Sequence, residues 1–161
     1  MAKQKFFPTL ALTLVLLAQS FISSSLLPAS AAENLRLREG LSYEHDLDKG
    51  FPIIADKFDD LKIESGKGQL IFFGAAGDLN TNRQAKRVVD LYKKYKDGTV
   101  KFIIVDVDHA SSPEAKQLIK NYYQGYIPQE VILDKQGKTF WTHIGEVDLA
   151  ALATQVEKSL Q

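Results

Sequence analysis

The chain has 161 residues, of which 45% are hydrophobic, 25% charged and 10% aromatic, proportions that exclude disordered, collagen-like and coiled-coil chains. The length suits one domain. Lys and Arg number 20, as do Asp and Glu, so no net charge favours nucleic acid as a partner. Cysteine is absent, which excludes disulfides, thiolate nucleophiles and cysteine-bound metals.

The first 31 residues have the pattern of a secretory signal peptide. Lys3 and Lys5 precede an apolar run at 10–17, and small residues end the segment at Ala31. Polar residues within 19–25 interrupt the roughly 20 apolar residues that a membrane-spanning helix requires. We predict cleavage after Ala31 and export to a periplasm, an equivalent lumen or the exterior, without membrane attachment. An uncleaved anchor is the alternative.

The mature chain, 32–161, is predicted to form a single domain. Residues 32–65 should form an N-terminal arm and a first helix, and residues 66–161 the core. The helix is predicted from apolar residues at three- and four-residue spacing, namely Phe51, Ile54, Ala55, Phe58 and Leu61.

Within the core, strands alternate with helices. A continuous apolar run predicts a buried strand at 69–73, and a second buried strand is predicted at 100–107. A third strand is predicted at 130–133 and a fourth at 139–144. Helices are expected after a capping box formed by Thr81 and Gln84, after Ser112-Pro113, and near Asp148. Strands separated by helices pair in parallel, whereas the short turn at 134–137 predicts an antiparallel hairpin. The fold class is therefore α/β with a mixed sheet.

This order of elements resembles the thioredoxin fold. Residues 105–108 (Val-Asp-Val-Asp) resemble the end of the family's central strand, and Tyr126-Ile127-Pro128 stands where the family carries its cis-proline. The hairpin at 133–138 and Gly145 before the last helix fit the same pattern. The resemblance implies a mixed central sheet flanked by helices, a terminal β-β-α unit and a cis bond before Pro128.

The family's redox motif is missing. In the family, a Cys-x-x-Cys pair begins the first long helix, whose N-terminus stabilises the thiolate. Counting from the preceding strand places Gly77 and Asn80 at these positions, while counting back from the next strand places Leu79 and Asn82 there. The acid that redox-active members bury beneath the site corresponds to Ile71. The resemblance therefore predicts a redox-inactive protein, because no thiolate exists to attack a disulfide.

The remaining polar residues give no catalytic, metal or cofactor site. Asp106, Asp108 and His109 are the cluster most similar to a metal site, but an ordinary polar strand end is favoured. His143 is expected to be partly buried, hydrogen-bonded and on the same strand face as Trp141. Because the chain also lacks a serine-nucleophile elbow and a complete dinucleotide loop, we predict neither metal nor cofactor.

A binding function is therefore favoured. We predict a groove in which the main chain beside Ile127 and Pro128 pairs with an extended peptide or protein segment. The opposite wall, with free helix-start amides offered to an anion or carbonyl, would comprise Gly77, Asp78, Leu79 and Asn80. The alternatives are a structural or assembly partner acting through the arm at 33–50, and an enzyme with non-thiol chemistry from Asp78 or Asn80.

Overall fold

A computed structural model describes residues 34–56 and 61–161, so the predicted signal peptide lies outside the described residues. In chain order the elements are β1 (Arg36–Leu37), β2 (Ile53–Ile54), β3 (Gly68–Gly74), α1 (Leu79–Tyr92), β4 (Val100–Asp106), α2 (Pro113–Tyr122), β5 (Gln129–Leu133), β6 (Thr139–Ile144) and α3 (Leu149–Ser159). Among the described residues, no helix combines the length and apolar character needed to cross a membrane.

Four strands form the central sheet, in the order β4-β3-β5-β6. β3 is parallel to β4 and antiparallel to β5, and β6 returns antiparallel to β5. The predicted mixed sheet and terminal β-β-α unit are confirmed, and each predicted strand end lies within one residue of the observed one.

Successive side chains of these strands enter two separate cores, as the twofold periodicity of a strand requires. One core lies beneath α1 and α3, and contains Leu70, Phe72, Val88, Phe102, Ile132 and Leu152. The other lies beneath α2, and contains Ile71, Phe73, Ile103, Leu118 and Val131. β3 contributes to both and is buried throughout, which explains its continuous apolar run.

The first helix predicted within 32–65 is absent from residues 51–56, and residues 57–60 lie outside the described part of the chain. Instead Ile53–Ile54 pair with Arg36–Leu37 as a small antiparallel sheet, which the Arg38 N–H extends by donating to the Pro52 carbonyl at 2.8 Å. The prediction is wrong here because pairing with a distant segment supplies main-chain partners that a short isolated helix lacks.

Helix α1 begins earlier than the predicted capping box allows. Its N-cap is Asp78, whose carboxylate accepts from the Thr81 N–H at 2.6 Å. Thr81 is fully buried within the helix, and the Gln84 side chain accepts from the Val147 N–H instead of reaching back. The capping box is therefore wrong, because Asp78 satisfies the helix start first. Ser112 does cap α2, as predicted.

Candidate functional site

The two predicted walls of the groove leave the sheet at the same end. Phe73, near the end of β3, lies opposite Gln129 at the start of β5. The loop that leads from Gly74 into α1 therefore starts beside the segment that leads into β5. In that segment the Ile127–Pro128 peptide bond is cis, Pro128 is buried and Ile127 is half-buried. Its neighbour Tyr126 is 67% exposed.

The segment at Ile127 is fixed by its neighbours. The Pro128 carbonyl accepts from the Gly145 N–H at 2.8 Å, which joins it to the end of β6. Gln129 is fully buried, and its amide donates to the Tyr122 carbonyl at 2.7 Å and accepts from the Gln124 N–H at 2.8 Å. These bonds tie the end of α2 to β5 and hold the loop between them in place.

The main chain of Ile127 makes no hydrogen bond of its own to residues 34–56 or 61–161. Its N–H and C=O therefore have no partner among the described residues, although Pro128 after it and Gln124 three residues before it are anchored. A half-buried residue with an unused donor and acceptor is the arrangement that an added strand requires.

The wall at the start of α1 is different, because its amides are already in use. Asp78 bonds the Thr81 N–H, and the Asp46 carboxylate accepts from the Leu79 N–H at 2.9 Å. The expectation of free amides offered to an anion is therefore wrong at these two positions. The carboxylates supply the negative charge that a helix N-terminus favours. Asn80, also predicted for this wall, is exposed.

The segment 42–48 holds Asp46 in this position. Its main-chain carbonyls at Ser42 and Tyr43 accept from the side chains of Asn82 and Arg83, at 3.0 and 2.9 Å. Gly77 approaches the same segment: a Cβ built there would lie 3.3 Å from the Asp48 Cβ, and its φ of +80° disfavours any side chain. The predicted arm thus packs against the helix start.

At the start of α1, the bonded pair with Cys-x-x-Cys spacing is Asp78 and Thr81. It lies one residue after the Gly77/Asn80 register and one before the Leu79/Asn82 register. This bond is an ordinary N-cap bond, and both registers stay predictions. A carboxylate therefore stands at the N-cap of a helix that has no thiol.

Sequence reasoning also missed a buried acid. Glu130 on β5 is fully buried, and burial raises its pKa to about 8, against the opposing effects of the Gln84 amide and the Arg87 charge. Neither carboxyl oxygen forms a hydrogen bond with the described residues, and the Gln84 Nε2 is also without one. An acid is thus buried beside Phe72 rather than at Ile71. Glu130 opens an apolar run, a pattern that could have revealed it.

The cluster at the end of β4 is held within its own loop. The His109 Nδ1 lies 2.9 Å from an Asp106 oxygen, and that hydrogen bond and charge raise the pKa of the exposed imidazole. The Asp108 N–H donates to the other Asp106 oxygen at 3.1 Å. In the described ranges, no group of three or more His, Asp or Glu side chains is arranged to hold a metal ion.

His143 lies where the sequence predicts. Its ring stacks on Trp141, with centroids 5.4 Å apart and planes 2° from parallel. Its Nε2 lies 3.3 Å from the Glu146 carbonyl, and the residue is partly buried. The prediction of a packed, hydrogen-bonded histidine is confirmed.

No family model and no curated protein matches this chain. Among solved structures, a thioredoxin-fold protein from Helicobacter pylori superposes with a TM-score of 0.51 at 19% identity, over 62% of this chain and 73% of that one. This chain has the thioredoxin fold. Fasciola hepatica thioredoxin gives a TM-score of 0.49 at 21% identity, over 60% of this chain and 84% of its own. Mitochondrial thioredoxin 3 from Saccharomyces cerevisiae gives 0.47 at 23% identity, over 60% and 82%. At these identities the likeness concerns the fold alone.

Proposed function

We propose that this chain is an exported, redox-inactive thioredoxin-fold protein that binds an extended peptide or protein segment by strand addition at Ile127. Export rests on the signal-peptide pattern of residues 1–31. The absence of cysteine excludes thiol–disulfide exchange by the chain itself.

The observation that carries this proposal is the main chain of Ile127, which has no hydrogen-bond partner among the described residues, in a segment that Gln124 and Pro128 anchor. Strand addition gains affinity from main-chain hydrogen bonds, and preorganisation of the receiving segment reduces the entropy lost on binding. The exposed ring of Tyr126 beside it offers apolar contact to a side chain of the bound segment.

The start of α1, the other predicted wall of the groove, favours a ligand that is recognised through its main chain over a ligand with an anionic group. Asp46 and Asp78 already occupy the amides of Leu79 and Thr81, so an incoming carboxylate would meet two negative charges there. The enzymatic alternative gains no support from Asp78, because its carboxylate is engaged as a helix cap.

The test uses peptides selected from a random library displayed on phage, with affinity measured by fluorescence anisotropy. We expect one extended peptide register to bind. Methylating the peptide nitrogen that faces the Ile127 carbonyl should weaken binding at least about tenfold, whereas methylating the next nitrogen, which faces away, should have little effect.

A second comparison uses the protein side. Tyr126→Ala should weaken binding of the same peptide, while Phe140→Ala, which removes an exposed aromatic ring at the other end of β6, should not. Failure to select any peptide, or equal effects of the two methyl groups, would contradict strand addition at Ile127.

A further inference from the structure

A cavity of about 280 Å³ lies between the small sheet and the end of β4. Its walls are mainly apolar, and the residues that line it are Arg38, Phe51, Ile53, Ile54, Ile104 and Asp106. Ile53 is fully buried, whereas the other five are half-buried, so the cavity is accessible from solvent. Apolar walls with a few charged groups are the usual form of a small-molecule site.

The cavity lies at the carboxyl end of the parallel strand pair. Asp106 ends β4 and lies opposite Gly74, which ends β3. Ile104 and Asp106 are two positions apart, so their side chains share the face of β4 that packs with Ile53. In open α/β sheets, ligands bind outside the carboxyl ends of parallel strands. The segment at Ile127 leads into β5 instead, on the other side of β3.

Arg38 supplies a cationic group to the lining, and the fold fixes its position. Its main-chain N–H donates to the Pro52 carbonyl at 2.8 Å, and its Nε donates to the Phe51 carbonyl at 2.9 Å. Its guanidinium lies against Gly50, where an added Cβ would be 3.3 Å from the Arg38 Cζ. Among the described residues, no group accepts a hydrogen bond from its two terminal nitrogens and no carboxylate forms an ion pair with it.

The acidic group of the lining, Asp106, is already engaged by its own loop. One of its oxygens accepts from the Asp108 N–H at 3.1 Å, and the other lies 2.9 Å from the His109 Nδ1. The charged group without a partner is therefore Arg38, which favours an anionic ligand. A second negative charge on that ligand would face either Asp106 or the apolar walls, and both are unfavourable.

We propose that this cavity binds a small apolar monocarboxylate, whose carboxylate accepts hydrogen bonds from the Arg38 guanidinium and whose hydrocarbon part contacts the apolar walls. The planar guanidinium matches the two oxygens of a carboxylate. The volume equals that of about nine water molecules at about 30 Å³ each, which suits a ligand of roughly eight to ten non-hydrogen atoms. This site goes beyond the proposed peptide binding and does not depend on it.

The test is a titration with hexanoate, followed by nuclear magnetic resonance of the isoleucine methyl groups in protein purified after expression of the full chain. We expect saturable shifts at Ile53, Ile54 and Ile104, with one dissociation constant on the order of 0.1–1 mM. The methyl groups of Ile127 and of Ile144, which is 41% exposed, should not shift. This pattern separates the cavity from the proposed peptide site and from general adhesion to exposed apolar surface.

Two probes with the same six-carbon chain test the charge of the ligand. Hexylammonium places a cation beside Arg38 and should bind at least about tenfold more weakly than hexanoate. Adipate carries a second carboxylate at the far end of the chain and should also bind at least about tenfold more weakly, because that group would lose its hydration. Equal affinity for hexanoate and hexylammonium would show that the cavity does not select a carboxylate.

Substitutions of Arg38 test the group that binds the carboxylate. Arg38→Gln removes the charge and should weaken hexanoate binding about tenfold or more, while Arg38→Lys, which keeps a charge without the planar guanidinium, should weaken it less. Arg36→Gln is the matched control, because Arg36 is exposed and pairs with Asp56 at 2.6 Å. This control should bind hexanoate as the wild type does.

Three results would overturn the proposal: no shift of the cavity methyl groups up to about 10 mM hexanoate, equal affinity for hexylammonium, or unchanged hexanoate binding by Arg38→Gln. If Arg38→Gln does not fold, as judged by circular dichroism, the three probes are compared on the wild type and on Arg38→Lys. Hexanoate must then bind the wild type more tightly than the other two probes do, or the proposal fails.

Discussion

Gln129 and Glu130 are consecutive, fully buried polar residues that follow Pro128. They face opposite sides of the sheet, and they differ in whether their side chains form hydrogen bonds. Gln129 faces α2 and uses its amide as both donor and acceptor towards the end of that helix. Glu130 faces α1 and α3, where neither carboxyl oxygen has a hydrogen-bond partner among the described residues.

This difference shows that β5 both positions the loop before it and makes the stability of the protein depend on pH. A satisfied amide fixes the position of the loop before it, because breaking its bonds leaves main-chain groups without partners. An unsatisfied carboxyl cannot stay ionised at low energy and remains protonated at neutral pH, which its pKa of about 8 reflects. Gln129 therefore shapes the candidate site, whereas Glu130 makes the stability of the sheet depend on pH.

The largest expected effect comes from Glu130→Gln. Burial raises the pKa of Glu130 from about 4.5 to about 8, so between these values the folded state holds a proton that the unfolded state has released. Stability must therefore fall as the pH rises through that window, by roughly 3 to 5 kcal/mol at most. In Glu130→Gln this fall should disappear.

Urea unfolding from pH 5 to pH 9 measures this contribution. Glu157→Gln, a substitution at an exposed glutamate, is the matched control and should keep the wild-type dependence on pH. The same fall in stability in Glu130→Gln and in the wild type would show that Glu130 is not buried as a neutral acid.

The second-largest effect on the free energy of unfolding is expected from substitutions of Gln129, whose side-chain amide is hydrogen-bonded at both its oxygen and its nitrogen. Gln129→Leu removes two hydrogen bonds and leaves the Tyr122 carbonyl and the Gln124 N–H without them, which should cost about 2 kcal/mol. Gln129→Glu retains an acceptor for Gln124 and should cost less than Gln129→Leu at pH 5. Unfolding in urea provides the measurement. A Leu variant as stable as the wild type would show that the two hydrogen bonds of Gln129 do not stabilise the fold.

The smallest of the three effects on the free energy of unfolding is expected at the start of α1, where Asp78 caps the helix. Asp78→Ala removes the N-cap of α1 and should lower the free energy of unfolding by about 1 kcal/mol, while Asp78→Asn, which still accepts from the Thr81 N–H, should cost a few tenths. Thermal unfolding compares the pair. Equal losses in both variants would mean that the charge of Asp78, and not its cap bond, stabilises the helix.

The sequence predicts the centre of the sheet well because residues 70–73 form a continuous apolar run, as expected of β3, which is buried on both faces. It fails where long-range pairing decides local structure. Ile53 and Ile54 form a strand because they pair with Arg36 and Leu37. The local spacing of apolar residues, from which a helix is predicted here, does not reveal that pairing.

The candidate site is predictable only in part for the same reason. Ile127 and Pro128 could be located by their position before an apolar strand. The Leu79 N–H donates to the carboxylate of Asp46, which lies 33 positions earlier in the chain. No local sequence motif therefore predicts that this amide is already hydrogen-bonded. The sequence shows that Glu130 is an acid at the start of a buried strand. Whether its carboxyl oxygens find hydrogen-bond partners depends on the three-dimensional arrangement of Gln84 and Arg87, which the sequence does not reveal.

Amide hydrogen exchange followed by nuclear magnetic resonance tests the central claim most directly, by comparing the N–H groups of Ile127 and Leu79 with and without a selected peptide. The Leu79 N–H, bonded to Asp46, should be protected in both states, whereas the Ile127 N–H should exchange rapidly in the free protein and become protected on binding. An Ile127 amide whose exchange does not slow when the peptide saturates the protein would contradict strand addition at this residue.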